Sequence, residues 1–69
     1  MFPEGQRVEI TANAFAGFTG VVLSHEEAIR RGATDPSNPA PPHAVWVVLT
    51  FWEREVPVLL TPDELRLIE

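Results

Sequence analysis

Four of the seven prolines, Pro36, Pro39, Pro41 and Pro42, fall inside residues 25–43, and this stretch divides two apolar-rich blocks at 1–24 and 44–69. Proline supplies no amide hydrogen to a helix or a sheet ladder, so the middle of the chain reads as a long loop. At most, Glu26-Glu27-Ala28-Ile29-Arg30-Arg31 makes a turn and a half of helix before Gly32, with Glu27 and Arg31 at helical spacing and Ile29 as the anchor. With 69 residues in all, one core is the limit: a domain this small buries only about 60% of its unfolded surface. A large self-sufficient enzyme is excluded.

The two flanking blocks alternate with a period of two, which sends successive side chains to opposite faces of a sheet. In Arg7-Val8-Glu9-Ile10-Thr11, Val8 and Ile10 face inward. A loop over residues 12–20 leads to Val21-Val22-Leu23, and a third strand over residues 44–52 is rich in β-branched and aromatic residues. Glu53-Arg54 reads as a tight turn, and Glu55 to Leu60 as a fourth strand whose Pro57 must lie on an edge or at a bulge. Thr61-Pro62-Asp63-Glu64 carries the start signals of a helical turn: Thr as cap, Pro next, and Glu three residues after the Thr. A short strand around residues 66–68 follows. Five short strands with one helical turn before the last predict an all-β, SH3-like barrel forming a single domain over residues 1–69.

Charge and composition narrow the function. Five arginines against ten acidic residues leave a net charge of −5, and there is no lysine. Nucleic-acid affinity draws on cations that neutralise phosphates, so RNA or DNA binding is disfavoured. The absence of cysteine removes disulfides, thiolate nucleophiles and cysteine zinc sites together. With neither a signal peptide nor an apolar run of about 20 residues, a soluble cytoplasmic protein with no membrane attachment is expected. Catalysis finds no constellation: Ser24 and Ser37 have no placed base, and Gly17 and Gly20 precede a strand rather than a phosphate-cradling helix. His25, Glu26, Glu27 and His43 have metal-ligand chemistry but no scaffold that makes them converge. No cofactor, metal or catalytic residue is expected.

The stretch Gly5-Gln6-Arg7-Val8-Glu9-Ile10, followed by Ala14-Phe15-Ala16-Gly17-Phe18-Thr19-Gly20-Val21-Val22, resembles a KOW motif. It is most similar to the KOW domains that end the NusG family of bacterial transcription factors. Residues 47–60 are similar to that family's strand, Phe-Gly-Arg turn and Pro-Val strand, and Asp63-Glu64-Leu65-Arg66-Leu67-Ile68 to its closing segment. Departures are visible too. Asn13-Ala14 replaces Gly-Pro while keeping a residue tolerant of positive φ, and Trp52-Glu53-Arg54 replaces Phe-Gly-Arg. Residues 25–43 are an insertion, and the polymerase-binding domain that precedes the KOW domain in that family has no counterpart in these 69 residues. The resemblance implies a partner-binding side formed by the Phe15–Phe18 loop and the Trp52 turn, in transcription or its coupling to translation, against a ribosomal protein or a termination factor.

Alternation adds a second group to that side. With Val45, Val47, Leu49 and Phe51 inside, Trp46, Val48, Thr50 and Trp52 point outward, as does Leu59. Such an apolar patch is covered by the 25–43 segment, by a second copy of the chain, or by a separate protein. Phe18 reads as a plug in the barrel end and Phe15 as an exposed contact, while Gly20 is structural. The expected contact residues are Phe15, Phe18, Trp46, Val48, Trp52, Arg54 and Leu59. A KOW protein that binds RNA or the ribosome, or a small subunit of a larger complex, is the alternative.

Overall fold

The alternation of Arg7-Val8-Glu9-Ile10 is realised as strand β1 (Arg7–Ile10), with Val8 and Ile10 fully buried and Arg7 exposed. The computed structural model describes residues 2–68. After β1 come β2 (Thr19–Leu23), helix α1 (His25–Arg30), β3 (Val45–Phe51), β4 (Arg54–Leu60), a 3-10 turn (Pro62–Glu64) and β5 (Leu65–Leu67). Every pairing is antiparallel, and the strands lie in the order β4-β3-β2-β1-β5. The last strand thus returns to the first, curling one five-stranded sheet around a single core. This is the small SH3-like barrel that the strand pattern predicts, with α1 as an addition to it.

Register explains the core. Inward residues meet across the strands as Val8 opposite Gly20, Gly20 opposite Leu49 and Leu49 opposite Val56. Val8, Ile10, Val22, Val47, Leu49, Leu60 and Leu65 form the buried cluster, with Phe2, Phe15, Val45, Phe51 and Val58 packed around it. At Gly20 the strands leave no room for a side chain: a Cβ there would stand 2.6 Å from Val47 Cγ1 and from the Val48 carbonyl oxygen. Glycine is required by close approach, since any larger residue forces the strands apart.

Pro57 sits opposite Val48 in β4, which pairs with β3 alone and is an edge of the sheet. Its missing amide therefore costs no ladder bond. The β3–β4 turn is displaced by one residue from its expected place: Phe51 pairs with Arg54, and Trp52 and Glu53 form the two-residue loop at φ +50° and +66°. Two successive positive φ values match the right-handed twist of the flanking strands, as in a type I′ hairpin. They also cost each L-residue about 1–2 kcal/mol.

Before β5, Glu64 reaches back as its position after Thr61 predicts. Its Oε1 accepts from the Thr61 amide at 3.0 Å and from the Thr61 hydroxyl at 2.9 Å. Helix α1 begins where Ser24 Oγ accepts the Glu27 amide at 3.0 Å and ends at Arg31, before Gly32 at φ +81°. Among the described residues no helix is long and apolar enough to cross a membrane.

Candidate partner-binding site

One end of the barrel is aromatic, and Phe51 organises it. As the last residue of β3 it shares the inward face with Leu49, but it lies at the rim and is only half-buried. The Phe18 ring meets it nearly edge-on, with centroids 4.7 Å apart at 62°, and the Phe15 ring lies 6.1 Å away at 53°. Such tilted pairs contribute about 0.5–1.5 kcal/mol each beyond the area they bury, so the β1–β2 loop is fastened to the tip of the β3–β4 hairpin.

The loop reaches that position through Asn13. At φ +69° this residue turns the chain, and its Oδ1 accepts the Phe15 amide at 2.7 Å. Its Nδ2 donates to Glu64 Oε2 at 2.8 Å. That bond and those from Thr61 hold the Glu64 carboxyl below its ordinary range, because each favours the charged form. The Ile10 amide then donates to the Phe18 carbonyl at 2.9 Å, continuing the β1–β2 ladder and setting Phe18 beside Ile10. The expected roles of the two phenylalanines are exchanged as a result: Phe15 packs on the core, whereas Phe18 is 41% exposed. The Asx turn directs Phe15 inward before the ladder resumes, leaving Phe18 at the opening of the barrel.

Trp52 stands at the tip of this end and is 95% exposed. Its exposure comes from the turn, not from the pleat of a strand, which correspondingly ends one residue earlier than expected. Arg54, paired opposite Phe51, is exposed and makes no ion pair among the described residues. Val56, exposed on the same side of β4, extends the apolar rim. Neither Phe51 nor Val56 belongs to the contact residues expected from sequence, because both fall on the inward parity; their nearness to the turn is what brings them to the rim.

The outer face of the sheet is a different environment. Trp46 and Val48 do turn to that face, with Leu59 opposite Trp46, yet Val48 is buried to 6% exposure and Trp46 is half-buried. The expectation of both as open contacts is therefore corrected in favour of the first of the three coverings, the 25–43 segment, whose α1 lies against this face. Trp46 Nε1 donates to His25 Nδ1 at 3.4 Å, and Arg31 Nη1, just past the helix, donates to Glu55 Oε1 at 2.8 Å. Between these two fastenings Ala28 is fully buried. Glu55, and behind it Glu27, hold the Arg31 guanidinium in its charged form and push its pKa further up. Of the seven expected contact residues, then, Phe15, Phe18, Trp52 and Arg54 share one end of the barrel. Trp46, Val48 and Leu59 share the outer face, and only Leu59 stays open there, at 44% exposure.

Among the described residues no group of three or more His, Cys, Asp or Glu side chains is placed to hold a metal ion. Neither a family model nor any curated protein matches the sequence.

Proposed function

We propose that this chain is a non-catalytic protein-interaction module that docks a protein partner through its aromatic end, in the setting its KOW resemblance implies: cytoplasmic transcription or the coupling of transcription to translation. Trp52 carries the reading. A tryptophan almost wholly in water, held at positive φ on a hairpin tip, is costly to solubility and to backbone energy alike. Strained and exposed positions of this kind cluster at sites of recognition. Phe18 and Val56 extend the apolar area around it, and Arg54, without an ion pair among the described residues, supplies a guanidinium for a partner carboxylate or carbonyl.

Trp52→Ala tests this directly. The variant is expected to keep the wild-type circular dichroism and melting temperature, and to lose at least about tenfold in affinity, as a central aromatic anchor does on truncation. With the two proteins used as bait, a ribosomal or transcription protein should be retained by the wild type and lost by the variant. Equal retention overturns the proposal. Near-indifference of the binding to salt is expected of an apolar protein interface, whereas affinity that falls steeply with salt identifies an RNA ligand instead.

A further inference from the structure

We infer that His25 is a proton-operated latch that holds α1 and the loop behind it on the outer face of the sheet, and that protonating it releases them and bares Trp46 and Val48. The inference concerns the covered face and does not depend on what binds the aromatic end.

The imidazole bridges two groups of opposite character. Nδ1 lies 3.4 Å from Trp46 Nε1, and Nε2 lies 3.2 Å from the carbonyl oxygen of Asn38. An indole nitrogen only donates and a carbonyl oxygen only accepts. The hydrogen-bond network therefore assigns the neutral tautomer with its proton on Nε2 and a bare Nδ1. A second proton has one place to go, Nδ1, where the new N–H confronts the N–H of Trp46. The contact with the Asn38 loop survives, but the one between α1 and β3 is lost.

Charged side chains stand on the elements that pack around His25. On α1 these are Glu26 and Glu27, the latter already engaged by Arg30 and Arg31. Glu4, from the segment before β1, lines the same cleft as His25, Pro41 and Trp46. The 32–44 loop meets His25 through the Asn38 carbonyl; its Asp35 carboxylate is held by the hydroxyl and amide of Ser37, and its His43 lines a different cleft, with Phe2 and Val45. From the sheet, Trp46 and its neighbour across the ladder, Leu59, bring no charge.

Release follows from how little else binds the helix. Six residues do not hold a helix in water unaided. Along the sheet α1 is fastened by His25 at its start, by the buried Ala28 in its middle and by the exposed Arg31–Glu55 pair just beyond its end. Exposed pairs of that kind add little. Losing the first fastening leaves Trp46 and Val48 open beside Leu59, as one apolar strip.

The test uses the full chain carrying Trp52→Phe, so that Trp46 is the one remaining tryptophan. Between about pH 8 and about pH 5, the interval over which histidine changes charge, acrylamide quenching of Trp46 should rise about twofold. Amides of Val8 and Leu49 should stay protected from exchange. Adding His25→Gln, which keeps one donor and one acceptor but cannot titrate, should abolish the rise. Unchanged quenching overturns the latch. So does an equal rise in the His25→Gln protein, or a simultaneous loss of protection at Val8 and Leu49. Should that variant not fold, the Trp46 indole resonance decides: its pH midpoint must coincide with that of the His25 ring protons, and a different midpoint overturns the proposal.

Discussion

The two tryptophans share a strand and its turn, six residues apart, yet they end in opposite environments. Trp46 lies half-buried beneath α1 and bonded to His25, whereas Trp52 stands almost wholly in water on a strained turn. Both are turned away from the core, so the pleat does not separate them. What separates them is coverage: the inserted segment folds back over the outer face of β3 and β4 and leaves the aromatic end bare. An apolar surface side chain thus acquires its role from what the rest of the chain can reach.

The largest expected effect sets the two indoles against each other. Trp46→Ala removes a half-buried ring and the partner of His25, and should destabilise the fold by about 2 kcal/mol, roughly half the cost of truncating a fully buried tryptophan. Trp52→Ala should change stability by no more than about 0.5 kcal/mol, as is usual for an exposed side chain without partners. Chemical denaturation of the two variants reads the difference. Equal losses would mean that the outer face and the aromatic end are not distinct.

The same contrast shows what can be read from sequence. Alternation yields the strands and the inward residues Val8, Ile10, Val47 and Leu49, and proline's missing donor confines Pro57 to an edge or a bulge, of which the structure shows the edge. The Thr61–Glu64 bond and the positive φ of Asn13 are likewise legible, being local chemistry. The turn at Trp52-Glu53 is not, because two-residue hairpin loops announce themselves through Asn-Gly or Asp-Gly and this pair carries neither signal. The covering of Trp46 and Val48 depends on a contact between residues 21 apart, and no short-range pattern encodes it. Phe15 and Phe18 exchange roles for a related reason: an irregular loop has no period from which to read direction.

A smaller effect, of opposite sign, is expected at the hairpin tip. Glu53→Gly places at φ +66° a residue that adopts such angles freely, and should stabilise the protein by about 1 kcal/mol. Binding by Trp52 should survive, since the turn is kept. A loss of stability would show that Glu53 has a compensating role and that the tip is less strained than its dihedrals state. Because the change lies away from α1, quenching of Trp46 in the Trp52→Phe background should be the same with and without it.

The smallest effect separates the two regions by pH. Glu64 ties the β1–β2 loop, through Asn13, to the turn that precedes β5, so it supports the aromatic end and not the outer face. Its folded pKa lies below the ordinary 4.5, chiefly through the Asn13 bond and then through Thr61. A carboxyl with a depressed folded pKa stabilises the fold above its unfolded value and loses that contribution as pH falls through the folded one. The melting-temperature difference between wild type and Glu64→Gln should therefore be constant near neutrality and shrink only below 4.5, on the acid side of the interval in which histidine titrates. Solvent access at Trp46 should change first on acidification and the Phe18 end later. If the Glu64→Gln difference instead disappears together with the His25 transition, the two regions are coupled and respond as one.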